Sequence, residues 1–147
     1  MYKKILIIFF SLIFFSIANS EEIFLSLKKN KVNVRYGPSL KSPVKYIYKK
    51  INLPVKQIDK KENFRRIIDL KNNSGWIHRS QLKPVNSIIP LKNKILFKEP
   101  SNFSKPLVKI QKGRMLVLQK CVKNWCKIKS DKFKGWITTD NVWGLLK

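Results

Sequence analysis

Val34-Arg35-Tyr36-Gly37-Pro38-Ser39 opens a pattern that continues through Pro43, Leu53-Pro54-Val55, Phe64-Arg65-Arg66-Ile67 and Gly75-Trp76-Ile77. About sixty positions later it returns as Leu96-Phe97-Lys98-Glu99-Pro100-Ser101, Pro106, Met115-Leu116-Val117, Trp125-Cys126-Lys127-Ile128 and Gly135-Trp136-Ile137. A period of that length exceeds a solenoid unit and reads as a small domain copied in tandem. Within the first copy the apolar residues fall in short runs rich in Val, Ile and aromatics: 24–27, 32–34, 44–48, 53–58, 64–70 and 75–78. Pro, Gly and Asn clusters separate them, and none shows the spacing of a long amphipathic helix, so the runs are predicted strands. Lys71-Asn72-Asn73-Ser74-Gly75 has the chemistry of a hairpin turn, since Asn and Gly tolerate positive backbone angles. Asn72-Asn73-Ser74 also fits a glycosylation sequon and is read only as a turn.

The sequence divides into a signal peptide at 1–20, a first β module at 21–83, a linker at 84–88 and a second module at 89–147. Lys3 and Lys4 precede an almost unbroken apolar run from Ile5 to Ile17, and Ala18-Asn19-Ser20 supplies small residues for cleavage. That run is short of the roughly 20 residues a membrane span needs, so a cleaved signal is expected in place of an anchor. No cysteine stands near the cleavage point, which argues against a lipoprotein. The predicted address is periplasmic or secreted.

The 147-residue chain carries 32 basic and 8 acidic residues, a formal charge of +24. Loss of Lys3 and Lys4 with the leader leaves about +22. A cytosolic chain so basic would point first to nucleic acid. Export removes most nucleic acid from reach as a partner and leaves anionic lipid, envelope polymer and the carboxylates of peptidoglycan. Lysine carries the excess while geometric phosphate recognition favours arginine, so A+T-rich codon usage is an equal explanation of the charge. If the charge serves binding, Lys28, Lys29 and Lys31 are the candidate cluster.

Each module of about 60 residues is marginal as a single core. Cys121 and Cys126 flank Val122-Lys123-Asn124-Trp125, and two cysteines facing each other across a tight hairpin lie within disulfide range. An oxidising compartment would pair them. Zinc needs four ligands and the chain offers these two thiols and the lone His78, so neither metal nor cofactor is assigned.

The first module resembles the bacterial SH3-like domain of exported proteins, on Asn33, Arg35, Gly37-Pro38-Ser39, Pro43-Val44, Leu53-Pro54-Val55, Phe64-Arg65-Arg66-Ile67 and Gly75-Trp76-Ile77. The second keeps Pro100-Ser101, Pro106, Trp125-Cys126 and Gly135-Trp136-Ile137 but lacks the Arg and Gly of the opening, and is similar to divergent second copies. The resemblance implies an all-β chain of two small antiparallel barrels, each of five or six strands. Large aromatics bring the most apolar area, so Trp76, Trp136, Phe64 and Trp125 are assigned to the cores, with a ligand face as the alternative for Trp76 and Trp136. Arg35, Tyr36, Tyr46 and Tyr48 are the candidate recognition residues; the alternative for Arg35 is an exposed loop or an internal salt bridge. The acidic and Tyr-rich loop signature of eukaryotic SH3 domains is missing, so recognition of proline-rich peptides does not carry over.

No nucleophile with its base, paired carboxylates or metal set is evident, and His78 reads as an ordinary strand residue. The chain is therefore expected to be no enzyme. The leading expectation is an exported binding module engaging peptidoglycan, by peptide or glycan, or a periplasmic protein. A basic assembly factor contacting anionic lipid or polymer, and a small hydrolase subunit or inhibitor, are the alternatives.

Overall fold

The computed structural model describes residues 22–130 and 132–145; the leader read at 1–20 lies outside them. Alternation and punctuation give fourteen strands: β1 Ile23–Leu27, β2 Val32–Arg35, β3 Val44–Tyr48, β4 Pro54–Lys61, β5 Phe64–Ile68, β6 Ser74–His78, β7 Leu82–Pro84, β8 Ser87–Pro90, β9 Lys94–Phe97, β10 Pro106–Ile110, β11 Leu116–Val122, β12 Trp125–Lys129, β13 Lys134–Thr138 and β14 Val142–Trp143. A single 3-10 turn, Arg79–Gln81, interrupts them among the described residues. Two antiparallel sheets result, ordered β3-β2-β6-β5-β4-β1-β7 and β10-β9-β13-β12-β11-β8-β14. Adding seven to each strand number turns the first order into the second, so the sequence repeat is a repeat of topology. Each sheet has seven strands where five or six were expected. The extra ones are the short returns β7 and β14, which lie back on β1 and β8. Two or three residues are too few to show a strand period in sequence.

Each core is aliphatic. Leu27, Val32, Val34, Val55, Ile67 and Ile77 fill the first; Ile88, Leu96, Ile110, Leu116, Cys126, Ile128 and Ile137 fill the second. Of the four aromatic residues assigned to the cores, two are buried and two half-buried, and none joins the aliphatic clusters. Successive strand residues point to opposite faces, and Ile77 and Ile137 take the interior beside Trp76 and Trp136. Phe64 pairs with His78 across β5 and β6, and Trp125 with Thr138 across β12 and β13, while the neighbouring Ile67 and Ile128 are fully or almost fully buried. All four aromatics thus occupy the face away from the aliphatic cores. Phe64 and Trp136 are still buried, at 6% and 8% exposure, whereas Trp76 and Trp125 are half-buried. Gly75 and Gly135 share the inner face with the isoleucines. A Cβ on Gly75 would lie 2.4 Å from a Val34 methyl, and one on Gly135 would lie 2.9 Å from Leu96 Cγ, so the glycines let β6 and β13 approach β2 and β9.

The segment read as a linker is largely strand, since β7 ends at Pro84 and β8 begins at Ser87. All four residues of β8 are buried. The two barrels meet there. Asn86 donates its backbone N–H to Ser26 Oγ at 3.1 Å and its side-chain amide to Asn52 Oδ1 at 3.0 Å, and Ser87 Oγ donates to the Asn52 carbonyl. From β14, laid on β8, Trp143 donates its indole N–H to the Pro54 carbonyl at 2.9 Å and packs edge-on against Phe24, ring centres 5.0 Å apart.

Candidate binding groove

Strand β2 sets the first barrel's outer surface. Val32 and Val34 face inward, so Asn33 and Arg35 face outward, with Lys31 just ahead of them. Beside them β6 ends at His78, whose imidazole lies edge-on to Phe64 at 5.2 Å and whose Nδ1 is 2.7 Å from Ser80 Oγ. The same Nδ1 accepts the Ser80 backbone N–H at 3.3 Å, which caps the 3-10 turn. Lys31, Asn33, Arg35, His78, Ser80 and Gln81, closed at one end by Leu40, line a groove of about 410 Å³. No acidic residue lines it.

Arg35 joins this groove to a second hollow of about 240 Å³ shared with Tyr36, Lys45, Arg66 and Trp76. Its Nη1 donates to the Ser42 carbonyl at 2.8 Å, bracing the β2–β3 loop with one of the five N–H groups of a guanidinium. Tyr36 is exposed, with Lys45 Nζ 5.6 Å above its ring, and that same ammonium donates to the Ser74 carbonyl at 3.0 Å. Arg66 stands opposite Trp76 across β5 and β6, which puts both on the outer face. The result is a cationic strip carrying one exposed tyrosine and one half-buried indole.

The candidate recognition residues therefore separate. Arg35, Tyr36 and Lys31 line the strip or the groove. Lys28 and Lys29 are exposed on the β1–β2 loop and line neither hollow. Tyr46 and Tyr48 are structural. Their rings meet edge-on at 5.2 Å against the aliphatic core, and Tyr48 donates to Asp69 Oδ2 at 2.9 Å with the Tyr46 hydroxyl 3.2 Å behind it. Asp69 in turn accepts the backbone N–H groups of Lys71 and Asn73 at 2.8 and 3.0 Å, tying β3 to the β5–β6 turn. Burial raises the phenol pKa of both tyrosines, and for Tyr48 the Tyr46 and Asp69 oxygens add to it, so both stay protonated. Alternation along β3 puts Tyr46 and Tyr48 on one face; that the face is the packed one depends on the partner Asp69, distant in sequence. His78, Ser80 and Gln81 were missed as groove residues because a three-residue 3-10 turn leaves no sequence period.

The second barrel has a hollow of about 780 Å³ formed by the β11–β12 hairpin and the turn after β13, with Asn102 of the β9–β10 loop and Asn124, Trp125, Thr138, Asp140 and Asn141 among its lining. Its chemistry differs. Where β2 shows Asn33 and Arg35, β9 shows Ile95 and Phe97, and Phe97 packs edge-on to Trp125 at 5.7 Å. Lys120 and Lys127 Nζ lie 5.6 and 5.7 Å over the Trp136 ring, so the burial of that indole comes partly from lysine stems. Lys94, buried where the first barrel has Val32, donates to Thr138 O, Thr138 Oγ1 and Asp140 Oδ1 at 3.0, 2.9 and 2.9 Å. Hydrogen bonds from Thr138, Lys94 and Lys92 hold the Asp140 carboxyl well below its ordinary pKa. Cys121 and Cys126 pair across β11 and β12 as a disulfide, Cα atoms 4.0 Å apart.

The family model for the bacterial SH3 domain matches twice, at residues 28–84 and 92–144. The chain belongs to the bacterial SH3 domain family. The two matched stretches contain the two sheets' central strands, and the all-β tandem architecture agrees with the resemblance read from Gly37-Pro38-Ser39 and the paired Gly-Trp-Ile triplets. Among solved structures, NlpC1 and NlpC2 from Trichomonas vaginalis are similar over 82% of this bacterial SH3 chain, at 14% and 15% identity and a TM-score of 0.38 each. The chain spans 45% and 47% of their lengths. A comparison with curated proteins finds no match.

Proposed function

We propose that this bacterial SH3 protein is a non-catalytic binding module of the cell envelope that grips a carboxylate-bearing ligand of the wall, a stem peptide above all, in the groove of its first barrel. The observation that carries this reading is the groove itself: Lys31, Arg35, His78, Ser80 and Gln81 converge there with no acidic residue between them. A guanidinium with free donors beside an ammonium suits a carboxylate, and the neighbouring Asn33 and Gln81 amides suit the peptide units that accompany it. Tyr36 and Trp76, along the same strip, offer apolar faces for the rest of the chain. Export to the periplasm or beyond is part of the reading, supported by the Cys121–Cys126 bridge, since disulfides persist in oxidising compartments.

Sedimentation with isolated peptidoglycan tests it. Lys31→Gln and Arg35→Gln together should lower retention about tenfold or more at low salt, the scale of losing charge-assisted hydrogen bonds. Lys31→Gln alone, at the groove rim and away from the Ser42 brace, should account for part of the loss with an unchanged melting temperature. Retention by the double variant equal to the parent's would overturn the assignment of the groove.

A further inference from the structure

Loop 98–105, between β9 and β10, presents Phe103 to water with its side chain 100% exposed. The loop is tightly braced. Lys98 N–H donates to the Lys105 carbonyl at 2.9 Å across its neck, Ser101 N–H to Glu99 O at 2.8 Å and Ser104 N–H to Ser101 O at 3.1 Å. The two serine hydroxyls accept the N–H groups of Phe103 and Glu99 at 3.2 and 2.8 Å. The first barrel builds the same bend at 36–43, with Ser39 N–H to Gly37 O, Ser42 N–H to Ser39 O and Lys41 N–H to Ser39 Oγ at 3.0, 3.1 and 3.1 Å. In that copy Lys41 stands where Phe103 stands in the second.

The comparison shows that the bend has no need of a phenyl ring. A lysine fits the place, and an aromatic ring held there in water is solvated unfavourably with nothing gained inside the fold. Both arms of the loop are cationic: Lys98 and Lys105 face each other at its neck, outnumbering Glu99. The whole chain, these residues included, carries a formal charge of +24. An apolar tip on a rigid loop, set in a positive field, has the composition of an interfacial anchor, in which apolar insertion and attraction to anionic headgroups act together.

We propose that loop 98–105 docks the second barrel on an anionic lipid bilayer, Phe103 entering the acyl boundary while Lys98 and Lys105 stay among the headgroup phosphates. The cationic surround favours a bilayer over an apolar pocket on a protein, because a field spread over the chain is matched by many lipid charges and by few on one partner. The site lies on a different barrel from the wall-binding groove, so either assignment can fail without the other.

Co-sedimentation with vesicles tests the docking, using phosphatidylcholine alone and phosphatidylcholine with roughly a third phosphatidylglycerol. The protein should bind the anionic vesicles and hardly the neutral ones. Phe103→Ser should lower that partition about tenfold, while Lys98→Gln with Lys105→Gln should lower it and flatten its salt dependence. Binding to a soluble anionic polymer should be the same for Phe103→Ser as for the parent. Phe103→Cys carrying a polarity-sensitive dye should brighten and shift to the blue when anionic vesicles are added. Parent and Phe103→Ser proteins sedimenting equally would overturn the proposal, as would a dye that keeps its aqueous spectrum. Absence of vesicle binding, with Phe103→Ser instead losing retention by an envelope protein, would replace the bilayer with a protein pocket.

Discussion

Lys94 occupies in the second barrel the place that Val32 holds in the first, and both begin strands with the same in-out pattern. A buried ammonium is tolerable only when its donors are satisfied, and the three oxygens of Thr138 and Asp140 supply one acceptor for each N–H. The turn after β13 is thus fastened by charge where the first barrel uses the His78–Ser80 cap. Because the native pKa of Asp140 is depressed, its contribution to stability is fully present above the ordinary carboxyl value of 3.8 and is lost as pH falls below it. The urea midpoint should therefore drop between about pH 4 and pH 2. Asp140→Asn, less stable at neutral pH, should show a flatter slope over that interval. Equal slopes for the two proteins would remove Asp140 as the titrating group. Neither Lys94 nor Asp140 could be placed from sequence, since a lysine opening a strand reads as solvated until its acceptors, over forty residues away, are seen.

The hairpins show what a single strand period can and cannot say. Phe64-Arg65-Arg66-Ile67 and Gly75-Trp76-Ile77 are legible as strands, yet a triplet with two apolar members does not tell which one faces inward. Volume suggests tryptophan; the close approach of β6 to β2 at Gly75 and Val34 leaves room only for the phase that buries Ile77. The β4–β5 and β11–β12 hairpins turn through Glu62 and Lys123, each at positive φ, 48° and 53°. Beside the turn the first barrel pairs Lys60 with Arg65, two like charges, and the second pairs Cys121 with Cys126. The disulfide was readable because five positions and one predicted turn fix the partners. Its closed loop is so short that Cys121→Ser with Cys126→Ser should lower unfolding free energy by only about 2 kcal/mol. Denaturant titration of the variant against the oxidised parent measures this, and hydrogen exchange should rise first in the strand ends next to Lys123. A loss above about 5 kcal/mol would mean that the bridge holds more than the hairpin.

At the scale of the molecule the sequence repeat announced two modules, and a short linker followed by the apolar Ile88-Ile89-Pro90 announced that they touch, but not through which residues. The strength of the joint comes from residues with no motif: Asn52, Asn86 and Ser87 at the crossing, and Trp143 laid on Phe24 and the Pro54 carbonyl. Barrels of this size are marginal alone, and each covers part of the other. Calorimetry should accordingly record one cooperative transition for the intact chain. Trp143→Ala, which removes a half-buried indole and leaves the Pro54 carbonyl without its donor, should lower the midpoint and broaden or split the peak. Two resolved transitions in the parent protein would show that the barrels melt separately.

Only Val85 and Asn86 separate β7 from β8, and that brevity turns the pair of hollows into a ruler. A flexible tether would let the second hollow search a volume and accept targets at many spacings. Were the second hollow to take a ligand as well, its contact would be available only to a target whose own repeat matches the fixed distance, at a high effective concentration when it matches and close to none when it does not. A periodic polymer would be held far more firmly than its isolated repeating unit, and lengthening the joint with glycine would trade that discrimination for reach.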